Sequence, residues 1–137
     1  MKPTLIRLPA LLIVWLFSIF TPSHARTEAY KVVKTQPITG GKSKHIVIAP
    51  ESANEADLTA LGLKLRESTV SERNAHVLIF TDVRAAMLHN QSWLSEEKRN
   101  FHALHFVGRY VRDLDNAIHE LEIFPKGIDG PSKIIAC

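Results

Sequence analysis

Apolar positions along the chain change period from segment to segment. Tyr30 to Ile38, with Val32-Val33 and Ile38, predicts a strand, and Pro37 marks it as an edge strand or ends it early. Thr39-Gly40-Gly41-Lys42-Ser43 is a glycine turn, and His45 to Ala49 carries the β-branched run Ile46-Val47-Ile48 of a second strand. The two strands are expected to form a hairpin. Pro50 stops the second. Asn54 then offers an N-cap with Asp57 three residues on, and Leu58, Leu61 and Leu65 fall on one face of a helix running to about Glu67. Gly62 lies inside that helix at a cost of about 1 kcal/mol against Ala.

Val77-Leu78-Ile79-Phe80 is continuously apolar, the mark of a strand buried on both faces. The strand–helix–strand order from Ile46 to Phe80 predicts a parallel crossover. Thr81-Asp82 caps the next helix, with Val83, Ala86 and Met87 as its apolar face and a break at Asn90-Gln91-Ser92. Helical spacing resumes from Trp93 to Leu104. Phe106 to Val111 and Ala117 to Phe124 then read as a closing hairpin about the turn Arg112–Asn116, and Ile134-Ile135 adds a short edge strand. The order is β-β-α-β-α-β-β. It predicts one α+β domain over residues 26–137, with a mixed, mostly antiparallel sheet of about five strands and helices packed on one face.

The first 25 residues have a different pattern. Lys2 and Arg7 precede an apolar run from Leu8 to Phe20, broken only by Pro9 and Ser18, and Ser23-His24-Ala25 places small residues at the −3 and −1 positions. The run of about 13 residues is short of the ~20 that span a bilayer, so a signal peptide cleaved after Ala25 is expected rather than an uncleaved anchor. The expected location is the periplasm or the medium, with no membrane attachment after cleavage. With 45% hydrophobic and 23% charged residues, the composition excludes a disordered chain, a collagen-like chain and a disulfide scaffold.

The leader also changes the charge. The whole chain is net +3, but Lys2 and Arg7 belong to the leader, which leaves 15 basic against 14 acidic residues, or +1. A near-neutral domain with interspersed charges lacks the footprint of phosphate-backbone binding, so no nucleic-acid partner is expected. The single cysteine, Cys137, cannot close an internal disulfide. Its expected fate is an idle tail thiol, with a disulfide-linked dimer as the alternative.

Three stretches, Val77–Asp82 with Ala85-Ala86, His105–Tyr110, and Asn116 with His119-Glu120, together resemble small exported bacterial proteins of uncharacterised function. The resemblance implies an exported α+β protein and no activity, substrate or catalytic residue.

Candidate chemistry rests on six histidines of the mature chain: His45, His76, His89, His102, His105 and His119. His102 and His105 stand at i, i+3. If the last hairpin pairs Val107 with Ile123, His105 and Arg109 share a face with His119, and neutral imidazoles there suit Zn, Cu or Ni. No His-Glu-x-x-His or paired-cysteine signature marks such a site, so partly buried or surface histidines are the expected outcome, and no cofactor is expected. Asp82, at the carboxyl end of the most buried strand, is either a helix cap or a catalytic carboxylate. Arg109 either binds an anion or pairs across the strand with Glu120 or Glu122. Trp93 is read as packed in the core or at a helix end, with an exposed partner anchor as the other reading. There is no Gly-x-Ser-x-Gly, and Thr39–Ser43 lacks the spacing of a phosphate loop.

Two functions from different classes follow. The first is a non-catalytic exported binding module for an extracytoplasmic protein or small molecule. The second is a small exported metal binder or hydrolase-like enzyme using His105 and His119.

Overall fold

The computed structural model describes residues 30–137; the leader and its cleavage point lie outside the described residues. Strands β1 (Lys31–Ile38) and β2 (Gly41–Val47) are followed by a single 3-10 turn at Pro50–Ser52 and helix α1 (Glu55–Ser68). Then come β3 (Asn74–Phe80), α2 (Val83–Leu88), α3 (Glu96–His105), β4 (Phe106–Asp113), β5 (Ile118–Ile123) and β6 (Lys133–Ala136). The fold is α+β. Its sheet has six strands in the sequential order β1 to β6, and only β2 and β3 run parallel. The sixth strand is the short one at Ile134-Ile135, which adds to β5. No helix among the described residues is long and apolar enough to cross a membrane.

Local chemistry explains the elements. Gly40, at φ 78, makes the β1–β2 turn, and Asn74 grips that turn from the next strand by donating to the Thr39 and Gly40 carbonyls. β2 therefore starts directly after the turn and is longer than its β-branched run. Asn54 caps α1 by accepting from the Asp57 amide at 2.9 Å, and Leu58, Leu61 and Leu65 are buried on the predicted face. Pro37 lies in β1, the edge strand.

The helices do not share one face. α1 packs Leu58, Leu61 and Leu65 against Ile46, Val77, Ile79, Tyr110 and Leu121. α2 packs Ala85 and Ala86 against Phe80 and Phe106, with Leu78, Val47 and Phe101 at the margin. The reason is the apolar run of β3. Successive side chains point to opposite faces, so Val77 and Ile79 face α1 while Leu78 and Phe80 need cover on the other side. The face of α2 also differs from its reading: Ala85 and Ala86 are buried, whereas Val83 and Met87 are exposed.

The closing hairpin is offset by one residue. Gly108, not Val107, pairs with Ile123, and Arg112 pairs with His119. The Asp113 carboxylate accepts from the Asp115 and Asn116 amides and from Asn116 Nδ2, and Ala117 adopts φ 55, so the turn spans 114–117. A one-residue offset moves every following side chain to the other face.

Candidate functional site

The side of the sheet covered by α2 and α3 gathers three histidines. His45 comes from β2, His89 follows the last turn of α2, and His102 lies on α3. Phe80 lies against all three rings, with centroid separations of 5.7, 5.8 and 5.7 Å for His45, His89 and His102. Phe106 lies against His89 and His102.

His45 is 1% exposed, and its Nδ1 lies 3.0 Å from the Ala86 carbonyl. A carbonyl only accepts, so Nδ1 carries the proton and, in the neutral ring, Nε2 is a bare lone pair. That Nε2 is buried with no hydrogen-bond partner. Its ring meets His89 edge-on, with centroids 5.2 Å apart. His89 Nδ1 and His102 Nε2 are 3.0 Å apart, with stacked rings. One of these nitrogens donates to the other, so at least one of the two rings is neutral.

Burial keeps the cluster uncharged. It pushes His89 down to about 4, helped by the His102, His45 and Lys34 charges. It also lowers His102, with His45 adding to it. His45 is lowered by burial as well, against the opposing effect of the Ala86 hydrogen bond. Near neutral pH the cluster therefore holds neutral imidazoles packed on Phe80 and Phe106.

The other candidate residues are committed elsewhere. His105 Nδ1 bonds Thr81 Oγ1 at 2.7 Å, and its ring lies against Phe101 at 4.5 Å. His119 Nε2 bonds the buried Tyr110 hydroxyl at 2.7 Å, and that hydroxyl also meets Thr69 Oγ1 at 3.1 Å. Tyr110 belongs to the core under α1, whereas Phe101 packs on the α2 side. His105 and His119 are therefore on opposite sides of the sheet, and the shared site weighed for them as the alternative does not form. Arg109 also faces away from His119 and pairs with Glu122 at 2.8 Å, the cross-strand partner expected for it.

Asp82 is the N-cap of α2. It accepts from the Arg84 amide at 2.7 Å and pairs with the Arg84 guanidinium, whose hydrogen bond holds the carboxyl below its ordinary range. That guanidinium lies 4.8 Å from the centre of the Phe101 ring. His102 keeps a place in a cluster, but with His89 rather than His105. Among the described residues no three histidine, cysteine, aspartate or glutamate side chains stand ready-placed for a metal ion.

Cys137 is no idle tail. Its amide donates to the His119 carbonyl at 3.0 Å, its side chain packs at the margin of the α1 core, and burial pushes the thiol up. Trp93 overturns its packed reading. It is 100% exposed, between α2 and α3, with φ 64.

The meeting of His45 with His89 and His102 was not legible in the sequence because it is long-range. The legible signal was a polar residue, His45, opening the β-branched run Ile46-Val47-Ile48. No family, no curated protein and no solved structure matches this chain.

Proposed function

We propose that this chain is an exported, non-catalytic binding module that docks an extracytoplasmic protein through the connection between α2 and α3. Trp93 carries the reading. An indole wholly in water gains nothing from the fold, and φ 64 costs a bulky residue about 1–2 kcal/mol. A large aromatic held at such a cost suits an anchor that enters an apolar pocket on a partner. The leader pattern, Lys2 and Arg7 before Leu8–Phe20 and then Ser23-His24-Ala25, supports export to the periplasm or medium. The alternative enzyme or metal binder built on His105 and His119 has no common site to act from, because the two rings hold separate partners.

The test is a photo-reactive amino acid at position 93, with the same group at the exposed Leu63 of α1 as control. Illumination of expressing cells is expected to give one discrete adduct from position 93 and none from 63. No adduct, or the same adducts from both positions, would sink the reading.

A further inference from the structure

We propose that His45, His89 and His102 form an acid-opened latch, which holds α2 and the connection after it on the sheet near neutral pH and releases residues 83–94 in mild acid while α1 and its side of the sheet stay folded. No partner takes part, so the latch stands whatever Trp93 binds.

Hydrogen bonds carry the argument. Among the described residues, two of them tie the segment 83–94 to distant parts of the chain: His45 Nδ1 with the Ala86 carbonyl at 3.0 Å, and His89 Nδ1 with His102 Nε2 at 3.0 Å. Both run through imidazoles. The others on this segment are local, joining Asp82 to Arg84 and Ala86, and Gln91 to Met87 and Leu88. Packing adds little, because α2 is six residues long and buries only Ala85 and Ala86. The Arg84 guanidinium also rests on the Phe101 ring, but it lies largely in water. α3 is held more firmly at its end, where the Ile128 amide donates to the Ala103 carbonyl at 2.9 Å and the Thr81 amide to the His105 carbonyl at 3.0 Å. α2 is therefore the element that lifts.

Each tie fails on protonation. His45 Nδ1 already donates to Ala86, so a second proton must go on Nε2, which is buried with no hydrogen-bond partner. A buried, charged N–H without an acceptor is costly. Between His89 and His102 there is room for one proton, and charging both rings turns two N–H groups on each other. The surroundings do not offset the charge. Lys34 stands opposite His45 in the β1–β2 register, and Lys98 and Arg99 precede His102 by one turn of α3. β3 and β4 turn the uncharged Phe80 and Phe106 to the rings. His105 is bonded to Thr81, and the carboxylates of Asp82 and Glu122 are paired with Arg84 and Arg109.

Burial, with the His102, His45 and Lys34 charges, holds His89 at about 4 in the closed chain against an ordinary 6.5, and burial lowers His45 and His102 as well. Lifted into water, the rings return toward the ordinary value. Opening therefore takes up protons and is favoured as pH falls below 6.5.

The test is amide hydrogen exchange of the whole protein at about pH 7.5 and about pH 5, corrected for the intrinsic rate at each pH. The opening that exposes residues 83–94 is expected to become at least about 10-fold more frequent in acid, with α1 and β3 better protected than that segment at both pH values. His89→Phe should show about a third of that rise or less, and His76→Ala, at an exposed ring, all of it. If His89→Phe does not fold, nuclear magnetic resonance of the wild-type imidazoles decides: His89 and His102 should gain protons together with the rise in exchange. The latch is overturned by exchange of 83–94 that does not rise, by a rise that is one unfolding shared with α1 and β3, by a rise with the three rings still neutral, or by the full rise in His89→Phe.

Discussion

His45 in β2 is tied to α2 by one hydrogen bond, from its Nδ1 to the Ala86 carbonyl at 3.0 Å. The bond crosses from sheet to helix in a region where His45 is 1% exposed, so water cannot replace it. His45→Phe fills similar space but leaves the carbonyl without this donor. A buried acceptor stripped of its partner costs about 1–3 kcal/mol, and removal of the unpartnered Nε2 offsets part of that. The expected loss is about 1–2 kcal/mol near neutral pH by urea denaturation, with the α1 side of the core unaffected. A variant as stable as the wild type would show that the bond contributes nothing net.

The neutral cluster makes the fold sensitive to mild acid. His89 titrates at about 4 in the folded chain against an ordinary 6.5. Between those values the unfolded chain takes up a proton that the folded chain refuses, so stability falls as pH drops from 6.5 toward 4. His45 and His102 are lowered too and act in the same direction. Discounted for solvent at the rim, His89 alone should cost about 1–2 kcal/mol between about pH 7.5 and about pH 5. Asp82 titrates below its ordinary 3.8 and leaves this window to the histidines. Denaturant midpoints at the two pH values test the claim, and His89→Phe should flatten the difference. An equal midpoint at both would refute it.

What was legible in the chain was local. Asn54, Asp57 and the leucines at 58, 61 and 65 act within one helix, so the sequence pattern reports them directly. The offset of the last hairpin was not legible. It goes with the turn that Asp113 holds, and it puts His119 on the face of Tyr110 rather than on that of Arg109 and Val111. The His45–His89–His102 cluster joins three elements across the chain, and only the sheet order and the place of α2 bring them together. The placement of helices on both faces was implied by the apolar run Val77–Phe80, which no one-sided sheet would bury.

Gly62 looks like a weakness in α1, since Ala in a helix interior is ordinarily better by about 0.5–1 kcal/mol. Its neighbour reverses that. A Cβ at position 62 would lie 2.6 Å from Leu121 Cδ2, and Leu121 is 0% exposed. The leucine must shift within a filled core, at about 1–3 kcal/mol. Gly62→Ala is therefore expected to destabilise by about 1–2 kcal/mol, read as a lower urea midpoint at unchanged slope. The double variant Gly62→Ala with Leu121→Val should recover part of the loss, because the shorter side chain lacks the clashing methyl. A stabilised single variant would show that α1 does not approach β5 this closely.

Trp93 separates stability from binding. Because it is 100% exposed, its side chain contributes no burial, while φ 64 strains any residue with a Cβ. Trp93→Gly relieves the strain and adds freedom to the unfolded chain, for an expected net gain of about 0.5–1 kcal/mol. Trp93→Ala keeps the strained Cβ and should stay within about 0.5 kcal/mol of the wild type. Had the indole been packed, either change would cost about 3–5 kcal/mol. The partner-binding reading makes the opposite demand on function. Both variants should lose capture of the partner found through position 93, and Trp93→Phe should keep part of it. A glycine variant that gains stability and loses its partner would identify Trp93 as a residue kept for recognition at the expense of the fold. A glycine variant that gains stability and still binds would move the docking surface elsewhere.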